Sequence, residues 1–131
     1  MQAHRSDIHV RFNDTDALGH LNNTSFSVYA EYARLEFFTH VSDTILGSLI
    51  LAHIALDFRR QVRFGEPVHV LTRVAKLGNS SVHLQQDIYA RDELAAEVYS
   101  VIVIFDYQAQ KPTAIPDDLR QAMQAYMLEE A

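Results

Sequence analysis

The sequence predicts an α+β fold in which one mainly antiparallel sheet packs against a long central helix. A single long helical pattern runs from Thr24 to Val41. One strand-like run precedes it and four follow it, and the turns between the last four are short. Short turns join antiparallel neighbours, because parallel strands need a long crossover. A run of strands with one helix set against them is an α+β arrangement.

The strands are expected where apolar residues alternate, at 6–13, 49–62, 68–76, 82–91 and 94–107. The first run places Ile8, Val10 and Phe12 on one face, which is the period of a strand. Residues 1–5 are expected to be frayed. Lys111, Pro112 and Pro116 are expected to end the sheet. Asp117 or Asp118 would then cap a short C-terminal amphipathic helix.

The long helical pattern is apolar on nearly its whole circumference. One stripe is already apolar, and further apolar residues spread well beyond it: Phe26, Tyr29, Ala30, Ala33 and Phe37 form the stripe, and Val28, Tyr32, Leu35 and Phe38 lie outside it. A helix that is apolar all round is a buried helix. The pattern therefore predicts a central helix wrapped by the sheet.

Length and composition restrict the class of protein. The 131 residues fit a single domain, 1–131, and 48% of them are hydrophobic, which is typical of a globular protein. The net charge of −6 argues against a nucleic-acid partner, which requires a basic surface. Nine of the eleven basic residues are arginines, which can still bind a small anion locally.

Several kinds of site are excluded or disfavoured by residue types. There is no cysteine, so disulfides, cysteine-bound zinc and thiol catalysis are excluded. No apolar run approaches the length of a membrane span, and the first residues lack the apolar region of a signal peptide. A cytoplasmic protein without a membrane span is therefore expected.

Polar residues gather where the first strand gives way to the long helix. The ten positions from 14 to 23 hold Asp14, Asp16, Gly19, His20, Asn22 and Asn23. The start of a helix presents unpaired N–H groups and a partial positive charge, which can hold an oxygen that gains negative charge. A carboxylate just upstream can serve as a base or a nucleophile.

This motif, Asp-x-Asp-x-x-Gly-His-x-Asn-Asn ahead of a long aromatic helix, resembles the 4-hydroxybenzoyl-CoA thioesterase family. The later pattern of Lys111, Pro112, Pro116 and Arg120 is also similar to that family. The resemblance implies a hotdog fold, in which a five-stranded sheet wraps around the central helix. It implies hydrolysis of an acyl-CoA thioester to a free acid and coenzyme A, without a further cofactor. It also implies a homodimer, which can pair again into a tetramer.

The resemblance assigns roles to individual residues. Asp16 corresponds to the catalytic carboxylate, and the backbone N–H of Asn23 to an oxyanion hole. His20 is expected to shape the site or bond near the carbonyl, with Gly19 and Asn22 contributing to substrate binding. From the residues alone, Asp16 could equally cap the turn that follows it, and Asp14 is better explained as a turn residue.

Further candidates lie later in the chain. Arg59, Arg60 and Arg63, and also Lys76, could contact the phosphates of coenzyme A. The pair of Arg59 and Arg60 could equally serve to keep an edge strand soluble. The turn with Gly78, Ser80 and Ser81 matches the region where the family contacts the nucleotide. Glu31 is a second candidate carboxylate, although a helix salt bridge to Arg34 is the simpler reading. No metal site is expected, because the seven histidines are scattered. The floor of the pocket is expected to comprise Tyr29, Tyr32, Leu51, His53 and Ala55.

Two other functions remain open at this point. A hotdog enoyl-thioester hydratase would also use Asp and His beside the helix, but its Asp-x-Asn-Pro-x-His pattern is absent. A non-catalytic module that binds acyl thioesters, or that serves in assembly, would need only the fold.

Overall fold

The chain forms one antiparallel sheet that curls around a long helix. A computed structural model describes residues 2–128. The strands are β1 His4–Ile8, β2 Leu49–Phe58, β3 Val68–Leu77, β4 Ser81–Ala90, β5 Glu93–Asp106 and β6 Lys111–Pro112. The helices are α1 Asn23–Val41 and α2 Asp117–Gln124.

The sheet has the strand order β1-β3-β4-β5-β2, and β6 pairs with the end of β5. All pairings between these six strands are antiparallel. Across residues 2–128, the outer edge of β2 has no partner strand. This architecture confirms the predicted α+β hotdog fold with a central helix and a C-terminal helix, and it positions the start of α1 beside the end of β2.

Helix α1 buries one side against the sheet. Ala30, Ala33 and Phe37 are fully buried there. The opposite side is different, because Val28, Tyr32 and Leu35 are 55%, 49% and 44% exposed. The prediction of a helix buried all round is therefore wrong for the single chain. The sheet curls around only part of the helix, and the remaining apolar surface faces outward.

The first strand ends earlier than its alternation predicts, and it starts earlier as well. His4 and Arg5 belong to β1, so they are not frayed. Residues Phe12–Asp14 form a 3₁₀ turn, in which the side chain of Asp14 accepts a hydrogen bond from the Arg11 amide at 2.9 Å. Phe12 is 74% exposed, so its place in the alternating pattern did not indicate a strand face.

Two later boundaries also differ from the predictions. Strand β2 ends at Phe58 and does not reach residue 62, because the amides of Arg59 and Arg60 both turn to the carbonyl of Ala95. Lys111–Pro112 does not end the sheet but adds a short strand to β5. Helix α2 forms where expected, with Pro116 at its N-cap in place of an aspartate.

Candidate active site

Asp16 lies in a tight loop between the 3₁₀ turn and α1. Its Oδ1 accepts hydrogen bonds from the amides of Leu18 at 2.9 Å and His20 at 3.2 Å. Its own amide donates to the carbonyl of His20 at 2.7 Å. Gly19 closes the loop with φ of +80°, a conformation that favours glycine. The carboxylate is thus fixed by one oxygen while the side chain stays exposed.

The start of α1 faces the same space. Asn22 is the N-cap, and its side-chain oxygen accepts from the amide of Thr24 at 3.0 Å. Asn23 is the first helical residue, where an amide has no partner within the helix. No hydrogen bond from the Asn23 amide is present within residues 2–128. This N–H and the positive end of the helix dipole are therefore available to an oxygen in the cleft.

The loop is joined to the segment that follows β2. The amide of Leu21 donates to the carbonyl of Val62 at 2.7 Å, and the amide of Phe64 donates to the carbonyl of Gly19 at 3.3 Å. His20 and Arg63 form an isolated bridge between these contacts. These backbone bonds bring the end of β2 opposite the Asp16 loop.

Between the two segments lies an open cleft of about 520 Å³. Its polar wall combines a carboxylate, an imidazole, amides and guanidinium groups, while two aromatic rings form an apolar part. It is lined by Asp16, His20, Leu21, Asn22, Asn23, Phe26, Phe58, Arg59, Arg60 and Gln61. The rings of Phe26 and Phe58 meet edge to face at 5.4 Å. This arrangement can hold a polar reacting group next to an apolar one.

Asp14 has a different environment from Asp16, although the two are separated by a single residue. Asp14 is buried, and its Oδ2 accepts the hydroxyl of Tyr29 at 2.6 Å as well as the Arg11 amide. Burial alone would raise the pKa of Asp14, but these hydrogen bonds and the Arg11 charge lower it overall. Burial and the bond to Asp14 raise the pKa of Tyr29. The turn role predicted for Asp14 is present, together with an anchor to α1.

The two arginines at the rim of the cleft are not equivalent. Arg60 is bonded to Glu66 at 2.6 Å, to the Gln61 carbonyl at 2.7 Å and to the Ala90 carbonyl at 3.1 Å. Arg59 makes one long ion pair, 3.4 Å to Glu97, and its side chain is half exposed. Arg60 thus holds the loop after β2 in place, whereas Arg59 can readily turn toward a ligand.

Six of the predicted site residues come together in this cleft: Asp16, His20, Asn22, Asn23, Arg59 and Arg60. Gly19 shapes the loop behind them. Gly78, Ser80 and Ser81 lie at the opposite end of β3 and β4, where Arg120 donates to the Gly78 carbonyl at 2.7 Å. Within one chain they do not approach the cleft.

The residues predicted for the pocket floor do not line the cleft of the single chain. None of Tyr29, Tyr32, Leu51, His53 and Ala55 lines the cleft. Phe26 and Phe58 form its apolar part, and sequence reasoning missed them in that role. A signal was available for Phe58, because it continues the inward alternation of Ile54 and Leu56 to the very end of β2.

Two further observations concern ligands and membranes. Among the described side chains, no three of His, Asp or Glu are grouped so that they could hold a metal ion. Neither described helix combines the length and the hydropathy that crossing a membrane requires.

Comparison with known proteins identifies relatives among the thioesterases. Residues 10–123 match the model of the thioesterase-like superfamily. A thioesterase from Thermus thermophilus, solved in complex with coenzyme A and zinc, is 32% identical, with 93% of this chain and 92% of that chain covered, at a TM-score of 0.86.

Curated relatives are more distant. The acyl-CoA thioester hydrolase YbgC of Escherichia coli is 25% identical over 122 residues, which are 88% of this chain and 91% of YbgC. The uncharacterized protein YsmA of Bacillus subtilis is 30% identical over 80 residues, and this match spans only 54% of YsmA.

The chain belongs to the thioesterase-like superfamily. This membership confirms the prediction of a thioester hydrolase.

Proposed function

We propose that the protein hydrolyses an acyl-CoA thioester to a free acid and coenzyme A, with Asp16 as the catalytic carboxylate. The observation that carries this proposal is the shared cleft, in which Asp16 faces the first turn of α1. YbgC is named an acyl-CoA thioester hydrolase, and the Thermus thioesterase binds coenzyme A in its crystal. Both relatives support the choice of substrate class.

The proposed chemistry uses the two sides of the cleft. The thioester carbonyl oxygen points at the amide of Asn23, which stabilises the negative charge of the tetrahedral intermediate together with the helix dipole. Asp16 either takes a proton from the attacking water or attacks the carbonyl carbon itself. In the base route the carbon–sulfur bond then breaks, and the proton that Asp16 took from water passes to the leaving thiolate. In the nucleophilic route the same break leaves an acyl–Asp16 anhydride. Water hydrolyses this anhydride, which releases the free acid, restores the carboxylate and supplies the proton for the thiolate. His20, on the same wall, orients the carbonyl.

The proposed substrate-binding roles depend on which side chains are not already bonded within the chain. Arg59 is the better candidate for a phosphate of coenzyme A, because Arg60 is committed to Glu66. Phe26 and Phe58 accommodate an apolar acyl group, and an aromatic acyl group as in the 4-hydroxybenzoyl-CoA thioesterase family is one such group. No cofactor is required, because coenzyme A is part of the substrate, and a cytoplasmic location belongs to the same proposal.

The proposed active unit is a homodimer, which can pair again into a tetramer. Strand β2 has ten residues, Leu49–Phe58, and its whole outer edge is without a partner strand within the described chain. Soluble proteins seldom leave an edge of that length uncovered. Pairing of two β2 edges would also let the Gly78, Ser80 and Ser81 turn of one subunit reach the nucleotide held by the other.

Replacing the proposed catalytic carboxylate tests the function. We expect Asp16→Asn to lower kcat for acyl-CoA substrates by roughly 10² to 10⁴, because the amide neither accepts a proton nor attacks the carbonyl. Asn keeps the oxygen that accepts from Leu18 and His20, so the fold should persist. The measurement is release of free thiol from a panel of aromatic and aliphatic acyl-CoA substrates.

The matched control is Asp43→Asn, an exposed carboxylate beyond the end of α1, which should leave turnover unchanged. Normal turnover by Asp16→Asn would remove Asp16 from the mechanism. Tight binding of acyl-CoA by the wild type without any thiol release would instead favour the binding-module hypothesis.

A further inference from the structure

The side chain of Arg34 is buried without a matching charge. Arg34 lies in the middle of α1 and is only 5% exposed. Its Nη1 is buried and has no hydrogen-bond partner within residues 2–128. An unpaired charge in such a place costs several kcal/mol, so a buried guanidinium is normally matched by an acid. The single chain therefore leaves one strong donor unsatisfied.

The guanidinium borders a cavity of about 230 Å³ between α1 and the free-edge side of the sheet. The cavity is mostly apolar, and it is lined by Glu31, Arg34, Leu35, Phe38, Leu49, Leu51 and Ile102. Leu49 and Leu51 belong to β2, whose outer edge is unpaired in the described chain. The unsatisfied charge thus lies beside the edge that needs a partner.

An acid is present in the same patch, but it does not pair with Arg34 in its own chain. Glu31 lies one turn before Arg34 and is exposed. Burial lowers the pKa of Arg34 and the charge of Glu31 raises it, yet no ion pair within 4.0 Å joins the two. The patch therefore carries one exposed acid and one buried base, about 4.5 Å apart along the helix axis.

We propose that a second copy of this chain covers the cavity and that Glu31 of each copy pairs with Arg34 of the other. A twofold axis that passes between the levels of Glu31 and Arg34 makes the two helices antiparallel. Each acid then lies opposite the partner's base, so one patch is complementary to itself. The same axis brings the two β2 edges together in antiparallel orientation, as the proposed dimer requires.

This occupant fits better than a small anionic ligand. A free carboxylate would have to approach Arg34 past the negative charge of Glu31. A second copy brings one acid and one base, so its patch is neutral, and it also covers Leu35 and Leu51, which are 44% and 43% exposed. The inference rests on the proposed homodimer. It adds the two residues, Glu31 and Arg34, that set the position of one α1 helix along the other.

The test is the dimer dissociation constant, measured by sedimentation velocity. We expect Glu31→Arg to raise the dimer dissociation constant by roughly 10² or more. The new arginine at position 31 of each copy would face the buried Arg34 of the other copy. The double exchange Glu31→Arg with Arg34→Glu should restore the dimer to near the wild-type constant. Asp43→Arg, with the same change of charge away from the patch, should leave the constant unchanged.

A second measurement covers the case in which Arg34→Glu fails to fold. The chain has no cysteine, so Glu31→Cys introduces a single thiol. Packed helices lie about 8–10 Å apart, so a bis-maleimide of roughly that span should link the two copies at position 31. Asp43→Cys should not be linked, because its two copies would lie about 30 Å apart along antiparallel helices.

The outcomes separate this inference from the proposed activity. A dimer that is indifferent to Glu31→Arg overturns the ion pair while Asp16 chemistry can still hold. So does a Glu31→Cys protein that sedimentation velocity shows to be dimeric but that the reagent does not link. A wild type that stays monomeric overturns the dimer and the pair together. A third outcome would assign Arg34 to a ligand instead of a second copy. Benzoate would then stabilise the wild type but not Arg34→Gln, and Glu31→Arg would have no effect on the dimer.

Discussion

A hydrogen bond between Tyr29 and Asp14 ties the Asp16 loop to helix α1. The hydroxyl donates to a buried carboxylate at 2.6 Å, and the Asp14 carbonyl accepts the Asn22 amide at 2.9 Å and the Ser25 hydroxyl at 2.8 Å. The loop that carries Asp16 is therefore attached to α1 through Asp14, two residues before Asp16, and it enters the helix directly after the N-cap Asn22. This attachment sets where Asp16 lies relative to Asn23.

We expect Tyr29→Phe to lower the free energy of unfolding by about 1.5–3 kcal/mol, the usual range for a hydrogen bond to a charged group. The phenylalanine ring still fills the space of the tyrosine ring, so the lost free energy of unfolding is that of the hydroxyl's hydrogen bond. Urea denaturation gives the value. Tyr32→Phe is the control, because its hydroxyl bonds Glu36 on a half-exposed surface, and it should stay within about 0.5 kcal/mol of the wild type. Equal effects of the two variants would contradict the role given to Asp14.

At the residue scale, sequence reasoning predicted which polar side chains meet at the start of α1, but not which apolar ones join them or how each polar group is bonded. The motif grouped Asp16, His20 and Asn23 correctly, because short sequence separation at the start of a helix forces proximity. The burial of Asp14 depends on Tyr29, fifteen positions away, and the commitment of Arg60 depends on Glu66 and Ala90. Such partners are set by tertiary packing, which local pattern does not contain.

The start of α1 is stabilised by the side chain of Asn22, which accepts from the amide and the hydroxyl of Thr24. We expect Asn22→Ala to cost about 1 kcal/mol of unfolding free energy, the typical value for a lost N-cap. Asn22→Asp should stay close to the wild type, because it retains the acceptor and adds a negative charge at the positive end of the helix. Chemical denaturation of both variants checks this, and equal losses would argue against capping.

At the scale of elements, the predictions were right wherever tertiary contacts agreed with the local pattern. The long helix and strands β3, β4 and β5 have close to their predicted bounds, since turn residues mark their ends. The errors lie at β1 and β2, where the period of two continues past the true end. At Phe12 and at Arg59 the backbone finds other partners, and the alternation of side chains does not reveal that change.

The whole molecule should lose stability as the solution becomes acidic. Burial lowers the pKa of His4, His69 and His83 below the ordinary value of 6.5, with help from His40, Arg5 and Lys76 respectively. Above pH 6.5 both the folded and the unfolded chain keep these rings neutral. Below it, the unfolded chain takes up protons first and is favoured, so stability falls with pH.

We therefore expect Tm to drop as the pH is lowered from about 7 to 5, with a further loss in stronger acid, where Asp14 and Glu66 become protonated. Bonds from Tyr29, Arg11 and Arg60 lower the pKa of these two carboxyls despite their burial, and that stability is lost as pH falls through the folded pKa. Calorimetry across this range measures the slope. His69→Gln should flatten the decrease of Tm between pH 7 and pH 5, and an unchanged slope would contradict the role given to His69.

The strand order has a consequence for synthesis on the ribosome. Strand β2 is made early, yet within residues 2–128 its only partner strand is β5, so the pairing of Leu49 with Ile104 must wait until Ile104 has been translated. At about 5–20 residues per second that interval lasts a few seconds. Strand β1 similarly waits for β3, whereas β3 and β4 are neighbours in the chain. We therefore expect folding to start from the hairpin of β3 and β4, and we expect the first half of the nascent chain to keep its apolar surface exposed until β5 emerges.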